Sequence, residues 1–287
     1  MMEELDFAEW VKRSENSANT AFRQAVHTLM LAISLADSLQ TRMIFHGGLL
    51  LAIRFQGIRH TKDIDFVTAD KRTQIDEDHF IASLNQELAI ACENLPYGLD
   101  CRIQSYRVKP PGGNRNFQSL KIGMGYAYKG ALGHRRLMKG ESPKVLDIDY
   151  SFNEVNQQID TIQLVDGGKI LAYSLPDLVG EKYRAMIQQK SRNRRRRQDA
   201  FDIYWLLKSG YLEDRTLKIR IYRSLLIKAI SRQLAVNKDS LADEEIIERS
   251  KAEYATLADE IDGELPPFEE VYTAVRNYYE SLPWGKG

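Results

Sequence analysis

An α+β protein is expected: a mixed α/β sheet with flanking helices over residues 1–175, then a helical region over 176–287. Three features lead there. Short β-branched runs interleave with three- and four-residue apolar periodicity through the first half, the pattern of strands alternating with helices. Pro and Gly separate two alternating runs near residues 100 and 120, as in a hairpin. From about residue 198 the periodicity is helical nearly to the end.

In chain order, Phe22, Val26, Leu29, Ile33 and Ala36 share one helical face, which predicts a helix over 18–39. MIFHGG predicts a short buried strand ending at Gly47-Gly48, and LLLAIRF a short apolar helix. After a turn, HTKDIDFV reads as a strand and DEDHFIASLNQELAIACENL as a helix against the sheet. DCRIQSYRVK and FQSLKIGMGYAYKG are the hairpin arms, with PPGGNRN as the turn. PKVLDIDYSFNE is a further strand. KILAYSLPDLVGEKYRAMIQQKS starts as a strand and becomes a helix that Ser174 or Asp177 is placed to cap. QDAFDIYWLLKSG, RTLKIRIYRSLLIKAISRQL and two acidic segments are helical.

Charged residues make up 28% of the chain and hydrophobic ones 43%, which excludes a disordered protein. The net charge of zero points to no partner, but its distribution is uneven. Residues 182–197 hold eight Lys or Arg and no acid, whereas 239–287 hold thirteen Asp or Glu against four Lys or Arg. Cys92 and Cys101 are the only cysteines, so a disulfide scaffold is excluded, and no Cys/His cluster has zinc-ligand spacing. MMEELDF is too acidic for a signal peptide, and the most apolar stretch, Leu29 to Ala36, is too short to span a bilayer. A cytoplasmic protein with no membrane partner is expected.

HTKDIDFV carries the first chemical signal. Strand alternation puts Asp63 and Asp65 on one face, Ile64 and Phe66 on the other. Two carboxylates on one face repel, which is tolerable where the strand end meets water or where a cation lies between them; on this stretch alone both readings stand. Fifteen residues before Asp63, Gly48 closes a Gly-Gly pair at a strand-to-helix turn, where free backbone N–H groups make a phosphate site. A phosphate cradle beside paired carboxylates suits magnesium, which takes a few carboxylate oxygens plus oxygens of substrate phosphates. KVLDIDYS repeats the pattern with Asp147 and Asp149. Two-metal phosphoryl chemistry needs a third carboxylate on a neighbouring strand. Asp149 is preferred because the apolar residues before it place it deeper; the alternative is that both are plain strand acids. SRNRRRRQ, with Arg192, Arg194, Arg195, Arg196 and Arg197, is either a grip for RNA phosphates through counterion release or a solvated loop. No aromatics interleave with it, so no base-stacking platform is indicated. His46, His60 and His134 lack triad or ligand spacing and read as structural or surface residues, and Tyr204 and Trp205 read as helix core.

FHGGLLLAIRFQGIRHTKDIDF resembles the Gly-Gly and D-I-D-F signature of the AbiEii/AbiGii-type toxins, members of the DNA polymerase β-like nucleotidyltransferase superfamily. The family's lysine helix is matched by Lys182 and Ala185 in EKYRAMIQQK. Its D-x-x-D helix is matched by Asp199 and Asp202 in QDAFDIYWLL. Together the matches run from about residue 20 to 208.

The resemblance implies a nucleotidyltransferase-like domain over 1–175 and a helical domain over 176–287 that completes the active site. It implies Mg²⁺ or Mn²⁺ held by Asp63, Asp65 and Asp149. An NTP would bind through Gly47, Gly48, Thr61, Lys182 and Asp202, with Lys182 neutralising phosphate charge and Asp199 acting beside it. On spacing alone, Lys182 is a solvated helix lysine. The implied acceptor is RNA such as the tRNA 3′ end, and the implied biology is a toxin–antitoxin or phage-defence system with an antitoxin protein as partner. Two departures stand out: Gln189 where the family has arginine, and Thr61 where some relatives have serine. Two other functions share the same fold: a small-molecule nucleotidyltransferase, and a catalytically inactive RNA- or protein-binding module.

Overall fold

The structure, a computed structural model, describes residues 3–14, 16–112 and 117–285. The first two residues of the acidic N-terminal stretch and residues 113–116 of the expected hairpin turn lie outside it. Among the described residues eight strands are formed: β1 (Glu4–Leu5), β2 (Ile44–His46), β3 (Ile64–Val67), β4 (Leu99–Lys109), β5 (Ser119–Tyr128), β6 (Val145–Ser151), β7 (Ile159–Leu164) and β8 (Lys169–Tyr173). Helices α1 (Phe7–Lys12), α2 (Ser17–Leu35), α3 (Asp37–Gln40), α4 (Gly47–Arg54), α5 (Glu77–Asn94) and α6 (Leu132–Met138) fall among them. Five more follow: α7 (Leu175–Gln188), α8 (Arg197–Lys208), α9 (Arg215–Ser231), α10 (Glu244–Lys251) and α11 (Phe268–Glu280).

The chain divides into two units. The first comprises Met1–Ile53, Lys62–Glu154 and Asp160–Ala172, and the second Arg54–Thr61, Val155–Ile159 and Tyr173–Gly287. The helical unit therefore takes in two short segments from within residues 1–175, besides the stretch that begins at Tyr173.

In the first unit the sheet order is β1-β7-β8-β2-β3-β6-β5-β4. It is mixed: β3 pairs with β6 in parallel, while β2–β3, β5–β6 and β4–β5 are antiparallel. Ile64, Phe66, Leu120, Ile122, Ile148 and Tyr150 are buried on one face, where each large side chain contributes roughly 1.5–3 kcal/mol. Helices α2 and α5 pack on each other and on β4, and Phe80 of α5 stacks on Tyr150 with centroids 5.1 Å apart. The ends of α2 and α5 are capped by Asn16 and Asp76, whose side chains accept from the N–H of Asn19 (2.9 Å) and His79 (3.1 Å). Cys92 and Cys101 are free thiols buried between α5 and β4. Strands β1 and β7 and helices α1 and α6 were not foreseen; β1 and the two helices are too short for periodicity to stand out.

The second unit is helical. Ser174, not Asp177, caps α7, accepting from the Asp177 N–H at 3.4 Å. Asp177 is instead buried against Lys228 of α9, at 3.5 Å, and accepts from the Gln157 N–H at 3.0 Å. Lys228 also donates to the Val155 carbonyl and lies 4.2 Å from the centre of the Tyr173 ring. Gln189, where the family has arginine, is buried and donates to the Ile246 carbonyl (3.0 Å) and to Ser250 (2.8 Å), tying the end of α7 to α10.

Candidate active site

The residues that carry charge sit on the sheet face away from Phe66 and Tyr150, because alternate residues of a strand point oppositely. Register fixes which of them meet. Asp65 lies opposite Asp149 across β3–β6, and Asp149 lies opposite Lys121 across β5–β6. His46 lies opposite Asp65, and Arg107 opposite Lys121. Five strands thus give one row: Arg107, Lys121, Asp149, Asp65, His46. The next row places Ser105, Gly123 and Asp147 opposite one another. A cleft of about 500 Å³ opens over these rows, with Asp63, Asp65, Asp147 and Asp149 facing Lys121, Arg107 and Lys109.

Within the row, the Lys121 ammonium pairs with Asp149 Oδ2, while Asp149 Oδ1 is buried with no hydrogen-bond partner. Asp147 and Asp63 are exposed, Asp63 just ahead of β3. Gly47 opens α4 with φ +84°, and a Cβ there would overlap Asp65 Oδ2 and lie 3.0 Å from its Cγ. Glycine is therefore required twice over, for the left-handed backbone and for the approach of the carboxylate. Gly48 follows in the first turn of α4.

Among the described residues no group of three or more His, Cys, Asp or Glu converges as it would around a metal ion. The site instead offers two carboxylates side by side, one with an unsatisfied buried oxygen. That donor set fits a magnesium-type ion, which takes one or two carboxylates and completes its shell with water and substrate phosphate. Asp65 and Asp149 would hold it, with Asp63 at the rim.

A second cluster lies within the helical unit. Lys182 of α7 is 5% exposed and donates to Asp202 Oδ2 at 2.6 Å and Asp199 Oδ1 at 3.3 Å. The Arg59 guanidinium grips the same Asp202 with both arms, each at 2.9 Å. Burial alone would raise the Asp202 carboxyl, but Arg59 and Lys182 outweigh it and hold it down at about 2. Burial opposes the Lys182 charge, and Asp202 and Asp199 overcome it, raising its pKa. Lys182 is thus a fixed cation, and Asp202 has both oxygens occupied. Thr61 is half-buried in the segment that precedes β3.

The basic tract meets acids of its own unit. Arg195 pairs with Glu253, Arg197 with Glu260 (2.6 Å), and Arg196 with Asp199 (3.7 Å). Lys190 pairs with Asp243 (3.1 Å) and Glu245 (3.2 Å). Arg192 and Arg194 are exposed. The acidic C-terminal segment in part neutralises this tract. His60 bonds Asp262 at 2.8 Å and His134 bonds Asp100 at 3.0 Å. Tyr204 is buried and donates to Glu270. Sequence reasoning missed Lys121 and Arg59. Lys121 carried a usable signal, a lone cation on the polar phase of an alternating strand; Arg59 carried none.

Carboxylates paired across strands beside a glycine-opened helix belong to the chemistry of nucleotidyl transfer, and the chain is a nucleotidyltransferase. A profile of the family described as nucleotidyl transferase AbiEii toxin, type IV toxin–antitoxin system, matches residues 29–276, so the chain belongs to the AbiEii toxin family. Among solved structures, JHP933 from Helicobacter pylori is similar, with TM-score 0.47 and 17% identity over 91% of each chain. MenT4, a nucleotidyltransferase toxin from Mycobacterium tuberculosis, is similar with TM-score 0.43 and 13% identity, over 96% of this chain and 97% of its own. No curated protein matches the chain in sequence. No helix among the described residues is long and apolar enough to cross a membrane.

Proposed function

We propose that this toxin transfers a nucleoside monophosphate from an NTP to a hydroxyl of an RNA acceptor such as the tRNA 3′ end. The observation that carries the reading is Asp65 and Asp149 in register at the floor of the cleft, with one Asp149 oxygen unsatisfied. A divalent ion, Mg²⁺ or Mn²⁺, held there with Asp63 at the rim would stabilise phosphate charge and acidify the attacking hydroxyl. The acceptor oxygen bonds to the α-phosphorus as the bond to the β-phosphate breaks, pyrophosphate leaves, and the hydroxyl proton passes to solvent.

Gly47 and Gly48 are assigned to the nucleotide phosphates through their backbone N–H groups. In the helical unit, Thr61 is assigned as a further hydroxyl donor to the nucleotide and Lys182 as the cation that neutralises phosphate charge. Asp202, with both oxygens taken, serves the nucleotide through Lys182 and Arg59, and Asp199 steadies Lys182. Arg192, Arg194, Arg195, Arg196 and Arg197 are assigned to the acceptor backbone, with Arg195 and Arg197 exchanging Glu253 and Glu260 for phosphate. In cells this activity stops growth until an antitoxin relieves it.

The test is incubation of purified protein with each labelled NTP and total tRNA, beside Asp65→Ala. Labelled RNA from the wild type alone is expected. Equal labelling by both proteins overturns the site assignment. In cells, expression should arrest growth and Asp65→Ala should not.

A further inference from the structure

The cleft has a cationic wall whose origin is a single irregularity. Along β4 the pairing with β5 runs Arg102↔Gly125, Ile103↔Met124, then Ser105↔Gly123, leaving Gln104 unpaired as a bulge. Because side chains alternate, one extra residue turns everything beyond it to the other face. Before the bulge the odd residues Leu99 and Cys101 are buried; beyond it the odd residues Ser105, Arg107 and Lys109 are exposed. Without the bulge, Arg107 and Lys109 would point at the helix-packed face. With it, they line the cleft beside Lys121, across from the aspartates.

The bulge is anchored. Gln104 donates to the Leu137 carbonyl (3.3 Å) and accepts from the Ser142 N–H (3.0 Å). Its side chain also lies over Gly125, where a Cβ would sit 2.5 Å from the Gln104 Cδ. The product is a cost left standing: Arg107 and Lys121 directly oppose each other, a like-charge pair that destabilises a sheet. Asp149 answers Lys121, but among the described residues no carboxylate pairs with Arg107 or Lys109. The arginine tract after α7 differs, since Glu253 and Glu260 already occupy Arg195 and Arg197.

We propose that Arg107 and Lys109 of β4, with Lys121 of β5, form the track that holds the phosphodiester backbone of the acceptor nucleic acid beside the paired aspartates. The assignment rests on the nucleotidyl-transfer reading above. Arginine's fork matches phosphate oxygens. Arg107 and Lys109, two residues apart, run outward along the strand, about 6.8 Å from one to the next. An extended line of exposed cations follows a polymer, whereas a triphosphate calls for donors that converge.

The experiment measures binding of fluorescein-labelled total tRNA by anisotropy, without NTP, from 50 to 300 mM salt, for wild type, R107S/K109S and R107K/K109R. In R107S/K109S the slope of log affinity against log salt should fall by about 1.4 to 1.8, two phosphate contacts' worth. R107K/K109R should keep the wild-type slope, which separates loss of charge from loss of fold. In transfer assays R107S/K109S should raise the KM for RNA and leave that for NTP unchanged. An unchanged slope overturns the proposal, and so does a raised KM for NTP with RNA binding intact, which would make the wall a donor-phosphate site. If the wild type transfers no nucleotide but the slopes behave as stated, the transfer reading fails and the track stands.

Discussion

Replacing Asp202 by Asn removes the charge that three donors share. Arg59 gives Asp202 two bonds of 2.9 Å, and Lys182 gives one of 2.6 Å. Asn offers one acceptor oxygen and turns an N–H₂ group toward a cation, leaving two buried positive charges poorly matched. Breaking a buried pair in this way costs about 3–5 kcal/mol. The neighbouring Asp199→Asn should cost less, roughly 1–2 kcal/mol, because its contact with Lys182 is a single bond of 3.3 Å. The pH dependence follows from the same contacts. Burial pushes the Asp202 carboxyl up and the two cations more than reverse this, so it titrates near 2 instead of 3.8. A depressed carboxyl stabilises the folded chain above about pH 4 and loses that effect as pH falls through about 2, here about 2 kcal/mol. Urea unfolding followed by tryptophan fluorescence should therefore show a large gap between wild type and Asp202→Asn at pH 7, narrowing by about 2 kcal/mol toward pH 2. Equal urea midpoints at pH 7, or a gap that stays constant on acidification, would refute the assignment of Asp202 as the keystone of this cluster.

Other substitutions probe other parts of the molecule. Gly47→Ala meets a left-handed backbone and the Asp65 carboxylate at once; it should cost about 1–3 kcal/mol of stability and abolish transfer, whereas wild-type melting and activity would contradict the packing described. Lys228→Met leaves Asp177 buried and charged, for about 3–5 kcal/mol, or roughly a 10 °C drop in Tm. Adding Asp177→Asn should recover much of that drop, and no recovery would mean that the Lys228 contacts with Val155 and Tyr173 dominate. Magnesium with NTP at a hundred times the Kd should stabilise the wild type by about 2.7 kcal/mol in thermal melts, and the effect should vanish in Asp149→Ala.

Much of this site was legible as local pattern. Asp65 and Asp149 betray themselves by interrupting apolar strands, Asp63 by repeating that pattern just ahead of β3, and Gly47-Gly48 by marking a turn from strand to helix. What the pattern does not carry is register. That Asp65 faces Asp149 depends on strands 84 residues apart in sequence, and that Arg107 faces Lys121, 14 residues on, depends on how the hairpin arms are phased. The hairpin was readable, but not the bulge within it, which shifts the phase of half a strand. Arg59 lies in a loop with no periodicity to mark it, and only the fold brings it to Asp202, 143 residues later. The arginine tract shows the converse limit. Its composition suggests a nucleic-acid grip, yet acids more than fifty residues downstream return to neutralise part of it.

The bulge at Gln104 makes the cleft's cationic wall a matter of parity. Substitutions in the outer half of β4 change one side chain at a time, but losing one residue between Gln104 and Lys109 would rotate the cations beyond the gap against the helices. Losing two would restore the arrangement with a shorter arm. The hairpin should thus tolerate length changes in steps of two and resist steps of one, so that variants selected for activity lengthen or trim this arm by even numbers.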